Sequence, residues 1–135
     1  MRGKLSLSLV LALFLFSGVV FSLEKIDLTG TWEGETYVEG GPTLFLTLTL
    51  EHKADAITGT LTDDMGYIDS EITEAKLEGG AFTFQTTAQS PVGELILIFK
   101  VTVTDNAMEG AWESEDGSYS GEWTASREKG NQIIR

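Results

Sequence analysis

The chain has 135 residues, 21 Asp and Glu against nine Lys and Arg, a formal net charge of −12, and no cysteine. That length suits a single domain with one core, and the charge argues against nucleic acid or anionic membrane surfaces as partners, since both demand basic patches. Without disulfides, a small fold must draw its stability from burial and a complete hydrogen-bond ladder, which favours a closed barrel over an open sheet with bare edges.

Residues 1–22 read as a secretory signal peptide. Arg2 and Lys4 supply the positive start, Leu5 to Phe16 the apolar run, and Val20 and Ser22 the small residues around a cleavage site. The apolar stretch is shorter than the roughly 20 residues of a spanning helix and is interrupted by serines and Gly18. Cleavage after Ser22 leaves 113 residues and a net charge of −14, and predicts a secreted or periplasmic protein with no stable membrane insertion. Residues 23–127 are assigned to one β domain and 128–135 to a polar tail.

From Ile26 onward, turn signals recur at short intervals: Gly40-Gly41-Pro42, Lys53-Ala54-Asp55, Asp63-Asp64-Met65-Gly66, Gly79-Gly80, Gln89-Ser90-Pro91, Asp105-Asn106 and Ser114-Glu115-Asp116-Gly117. These seven turns delimit eight strands, and Gly79-Gly80 and Asp105-Asn106 suit two-residue hairpins. In strand order, Thr29–Val38 sends Trp32, Gly34, Thr36 and Val38 to one face. Thr43–His52 alternates Leu44, Leu46, Leu48 and Leu50 against Phe45, Thr47, Thr49 and Glu51, a period of two that no helix produces. Ala56–Thr62 turns Ile57, Gly59 and Leu61 inward.

Tyr67–Glu78 is ambiguous. Ile68 and Ile72 share a parity that Ala75 and Leu77 do not, so one strand needs a bulge near Thr73-Glu74, while a short helix also fits; the bulged strand preserves the run of hairpins. Ala81–Thr87 buries Phe82 and Phe84, and Gly93–Thr104 buries Leu95, Leu97, Phe99, Val101 and Val103. The last hairpin, Ala107–Glu113 and Ser118–Ser126, is expected to set Trp112 across from Tyr119, Gly110 across from Gly121 and Met108 across from Trp123. The fold class that results is all-β, an eight-stranded antiparallel up-and-down barrel.

A glycine-x-tryptophan unit occurs as Gly30-Thr31-Trp32, Gly110-Ala111-Trp112 and Gly121-Glu122-Trp123, with Gly59-Thr60-Leu61 as a weaker copy. Each glycine shares a face with its bulky partner, and alternating small and large residues suit the tapering interior of a narrow barrel. With Leu28-Thr29-Gly30-Thr31-Trp32 opening the first strand and Arg127 following the last, the chain resembles the calycin barrels, the lipocalins and avidins, and small exported bacterial domains of this type. The resemblance implies that Trp32 and Arg127 form a cation-π plug at one end, and Gly30 and Trp123 are grouped with them as closing structure. The chain lacks the threonine-aspartate-tyrosine stretch of lipocalins and any alignable counterpart of the avidin biotin contacts, so neither a fatty-acid nor a biotin ligand carries over.

Candidate chemistry is sparse. His52, the one histidine, stands at a strand end beside Glu51 and Lys53 without a nucleophile, and reads as an ordinary solvated residue. The carboxylates Asp63, Asp64 and Asp69, and Glu113, Glu115 and Asp116, do not follow a calcium-loop spacing, so neither metal nor cofactor is expected. The outward Phe45, Ile96 and Ile98 are candidates for an apolar strip. The expectation is a non-enzymatic ligand-binding barrel whose interior, lined by Leu44, Leu46, Phe82, Phe84, Leu97 and Trp112, takes a small apolar or amphipathic molecule. The alternative is a protein-interaction or protease-inhibitor-type module of the cell envelope with an exported protein partner.

Overall fold

The computed structural model describes residues 26–128, and the signal-peptide segment and most of the polar tail lie outside them. Nine strands run antiparallel: β1 Gly30–Val38, β2 Thr43–Lys53, β3 Ala56–Asp63, β4 Asp69–Glu71, β5 Thr73–Glu78, β6 Ala81–Ser90, β7 Gly93–Thr104, β8 Ala107–Ser114 and β9 Ser120–Ser126. Their order in the sheet is β4-β3-β2-β1-β9-β8-β7-β6-β5, so the first and last long strands pair and the two short central ones end the sheet. The result is an all-β, nearly closed barrel.

The ninth strand comes from the ambiguous segment. It behaves as one stave broken at Ile72, whose N–H goes to the Gly59 carbonyl at 2.9 Å: β4 pairs with β3, and β5 pairs with β6. Register shifts between Thr73 and Lys76, with Glu74 at φ 54°, which is the bulge required to keep Ile72 and Leu77 on the core side. Across the remaining seam between β4 and β6 the ladder is replaced by an Ile68–Ala88 bridge and by Ser70, whose Oγ lies 2.6 Å from Thr86 Oγ1 and accepts the Thr87 N–H at 3.1 Å.

The period of two decides which residues meet inside. Leu44, Leu46, Leu48 and Leu50 are all buried, as are Phe82, Phe84, Phe99, Trp32, Trp112 and Trp123. Trp32 and Trp123 are fully inaccessible to solvent. The outward Phe45 sits on β2 while Ile96 and Ile98 sit on β7, with three strands between them around the wall, so they do not form one strip.

The β8–β9 hairpin differs from its expected register by two residues. Gly121 faces Trp112, Gly110 faces Trp123 and Ala125 faces Met108, whereas Tyr119 lies in the loop. Side chains in that loop explain the shift. Ser114 donates its N–H to the Tyr119 carbonyl and accepts the Tyr119 N–H at Oγ, both at 2.9 Å, while Asp116 Oδ1 accepts from Ser118 N at 3.0 Å, Ser118 Oγ at 2.7 Å and Ser114 Oγ at 2.8 Å. A five-residue loop stitched this way replaces a tight turn. A shift of two preserves which face each side chain occupies, and it places each indole directly opposite a glycine.

Two glycines make closure between β1 and β9 feasible. A Cβ at Gly34 would overlap the Thr124 carbonyl and stand 2.5 Å from Ala125 Cα; one at Gly121 would stand 2.5 Å from the Tyr37 carbonyl and 2.8 Å from Trp112 Nε1. The obstacle at Gly34 is backbone, which cannot step aside as a flexible side chain would. Gly34→Ala is therefore expected to cost about 3 kcal/mol in urea unfolding, and a loss under about 1 kcal/mol would mean that β1 and β9 are less tightly joined.

Hydrogen bonds from the Ser118 side chain, the Ser118 backbone and the Ser114 side chain, in that order, lower the Asp116 carboxyl from its ordinary value to about 2. A depressed folded-state value contributes stability that is present above the unfolded value, about 3.9, and is lost as pH falls through about 2. Asp116→Asn should accordingly be less stable than the parent at neutral pH, with the gap closing between about pH 4 and about pH 2 in thermal unfolding.

Candidate functional site

The two ends of the barrel are built differently. One end is formed by the lead-in Ile26–Thr29, the turns at Ala54-Asp55, Gly79-Gly80 and Asp105-Asn106, and Arg127 after β9. Here the Arg127 guanidinium lies 4.4 Å from the centre of the Trp32 ring. Its fork makes four hydrogen bonds: Nη1 donates to the Asp27 and Thr29 carbonyls at 2.7 and 2.8 Å, Nε donates to Asn106 Oδ1 at 2.8 Å, and Nη2 to the Asp105 carbonyl at 3.3 Å. Partial desolvation lowers the Arg127 pKa, opposed by the charges of Asp27 and Asp105. Gly30 lies directly beneath the arginine, with φ at +140°, so a side chain there would be strained in its backbone, although a Cβ would meet Arg127 Cδ only at an ordinary contact distance of 3.5 Å.

Trp32 completes this floor by donating Nε1–H to the Leu28 carbonyl at 3.0 Å. His52 is part of the same construction rather than a solvated strand end. Its Nδ1 accepts the Leu28 N–H at 3.1 Å, and its own backbone N–H donates to Thr29 Oγ1 at 3.0 Å.

Above the floor, Phe82, Phe84, Phe99 and Trp123 pack as one aromatic block. Phe84 and Phe99 stack with centroids 4.7 Å apart and planes 7° from parallel, and Trp123 meets both near-perpendicularly at 6.3 and 5.5 Å. Offset stacks and perpendicular contacts are the arrangements that ring quadrupoles favour. Trp123 thus lies within the core and not at the closing end, and its Nε1–H is buried without a hydrogen-bond partner. Phe82 and Phe84 also belong to this block and, unlike Phe99, are not among the residues that line the cavity at the other end.

The other end opens into a cavity of about 200 Å³. Leu44, Leu46, Leu97 and Trp112 line it together with Thr36, Val38, Ile68, Ala88, Leu95 and Phe99, and Pro42, Tyr67, Pro91 and Tyr119 border it toward the loops. Its one deep polar feature is already satisfied. Trp112 Nε1 donates to Thr36 Oγ1 at 2.6 Å, and Thr36 Oγ1 donates to the Glu122 carbonyl at 2.6 Å. What remains is an apolar, largely aliphatic chamber with Phe99 and Trp112 in its wall. Tyr67 and Tyr119, exposed by 39% and 40%, stand at its mouth. Both lie outside the long strands, where alternation says nothing about direction, whereas the parity of Thr36, Val38 and Leu95 had already placed them inside.

Two acidic groups of the open end, Asp63 and Asp64, hold backbone. Asp63 accepts the Met65 and Ile68 N–H groups at 3.0 and 2.7 Å, and Asp64 accepts the Phe45 N–H at 3.0 Å. No protein-family model, curated protein or solved structure matches the chain.

The floor yields a specific expectation. A lysine in place of Arg127 keeps the charge but cannot reproduce a planar fork serving four carbonyl-type acceptors while lying on an indole. Arg127→Lys should lose about 2 kcal/mol in denaturant unfolding, with the Trp32 environment changed in near-ultraviolet circular dichroism.

Proposed function

We propose that the chain is a non-enzymatic, exported carrier: a calycin-like barrel that holds a small apolar or amphipathic molecule in the cavity at its open end. The observation that carries this reading is the apolar chamber itself, walled by Leu44, Leu46, Leu97, Phe99 and Trp112 and reached past Tyr67 and Tyr119. The Arg127–Trp32 stack over Gly30 fits the calycin plug, and an export signal fits a protein that meets its ligand outside the cytoplasm. His52 is engaged with backbone at the far end of the barrel, which suits binding better than turnover.

The volume sets the ligand's size. At about 30 Å³ per water, 200 Å³ corresponds to roughly seven waters, or a molecule on the order of ten non-hydrogen atoms. Burial of about 0.8 kcal/mol per CH₂ gives about 6 kcal/mol for an eight-carbon chain before association costs, so affinity is moderate.

A second reading, a protein-interaction or inhibitor-type module, draws on one observation. Every exposed large apolar side chain among the described residues (Tyr37, Phe45, Met65, Tyr67, Val92, Ile96 and Tyr119) lies in the half of the barrel nearer the open end. Such a rim would also suit a partner's surface.

Ala88 is buried against the cavity and small, so Ala88→Phe would fill the chamber from its wall. Native mass spectrometry of the purified protein is expected to show a retained small molecule that Ala88→Phe abolishes while the melting temperature holds within about 5 °C. A stably bound exported protein with no small molecule would favour the second reading instead.

A further inference from the structure

The basic side chains of the described residues are confined to one half of the barrel, whereas acidic ones occur at both ends, and this asymmetry bears on what the cavity accepts. The basic side chains among the described residues are Lys53, Lys76, Lys100 and Arg127, and each lies at the closed end or in the half of its strand nearer to it. The two ion pairs among these residues, Lys53–Glu51 at 3.4 Å and Lys76–Glu78 at 3.5 Å, are in that half as well. The open end carries Glu39, Asp63, Asp64, Glu94, Glu115 and Asp116 in or beside its loops, and among the described residues no ion pair joins any of them.

The cavity wall adds a second constraint. It contains no cationic side chain, and its deep hydroxyl, Thr36, is engaged both as acceptor and as donor. The Ser90 hydroxyl at the rim donates to the Gly93 carbonyl at 2.8 Å. A carboxylate or phosphate head would therefore meet no positive charge in the wall and a negative field at the entrance. An ammonium meets the reverse, and the faces of Tyr67 and Tyr119 at the mouth are suited to receive it.

Resting on the carrier reading above, we propose that the ligand is a small cationic amphiphile: an aliphatic or aromatic amine whose apolar part fills the chamber and whose ammonium remains at the acidic rim. The apolar wall supplies the anchorage, and the rim supplies the sign. Exposed charges act through water, so the preference is one of selectivity and depends on salt.

The test compares three probes with one eight-carbon tail, n-octylammonium, octanol and octanoate, by isothermal titration into the full-length protein at neutral pH. At low ionic strength octylammonium is expected to bind about tenfold or more tightly than octanoate, with octanol between them, and the spread should narrow as screening shortens the range of the field. Combined Glu39→Gln, Glu94→Gln and Glu115→Gln changes alter exposed side chains, and should bring octylammonium toward the affinity of octanol while leaving octanol unchanged. Octanoate binding as tightly as octylammonium would overturn the inference and leave the carrier reading standing. Failure of all three to bind would remove both.

Discussion

The pairing of β1 with β9 is the constraint on which everything else in this molecule depends. It joins residues nearly 90 positions apart, from Val38 opposite Gly121 to Glu33 opposite Ser126, and it turns a meander of hairpins into a cylinder. Such a long-range ladder needs the strands to approach without side chains between them, and Gly34 and Gly121 remove the obstruction from each partner. The space a side chain would have taken at Gly121 is occupied by the Trp112 indole from the adjacent strand. Small residues in the wall and large ones in the lumen are thus two halves of one packing solution.

Closure alone would give a filled barrel. The cavity arises because bulky side chains are unevenly distributed along the axis. Trp32 under Arg127 and the Phe82, Phe84, Phe99 and Trp123 block occupy the closed half. Toward the loops the inward positions hold leucines, Val38, Thr36 and Ala88, which leave room. The incomplete seam beside β4 borders this same region: Tyr67, Ile68, Ala88 and Gln89 belong both to the seam and to the cavity wall, and Gln89 N–H reaches the Tyr67 carbonyl at 2.7 Å. The least laddered part of the wall therefore lies next to the chamber, while the most heavily bonded part, around Arg127, lies farthest from it. Rigidity and access are placed at opposite ends.

Much of this is legible in the sequence because alternation reports the face on which a side chain lies. Leu44 through Leu50, Phe82, Phe84, Leu97 and the three tryptophans all point inward as their parity requires. The Trp32–Arg127 stack is expected for a different reason, the resemblance of Gly30, Trp32 and Arg127 to the calycin pattern, which alternation alone does not supply. Alternation carries no information about height along the axis, however. Phe82 and Phe84 share a face with Leu97, yet they sit in the aromatic block and Leu97 lines the cavity. Register across a loop is hidden as well, since side-chain hydrogen bonds from Ser114 and Asp116 set the β8–β9 pairing and draw Tyr119 out of the ladder to the cavity mouth. His52 is the converse case: its bond to Leu28 joins residues 24 apart and leaves no local trace.

A barrel shut by an arginine-tryptophan floor and left hollow and apolar at its other end is the central claim, and xenon tests it most directly. Xenon enters dry apolar cavities and leaves wet polar ones, independent of ligand charge or identity. A crystal of the protein under xenon pressure should show the gas bound among Leu44, Leu97, Phe99 and Trp112, with none near Trp32. An absence of xenon there, with side chains or a hydrogen-bonded water cluster filling that space, would contradict the account.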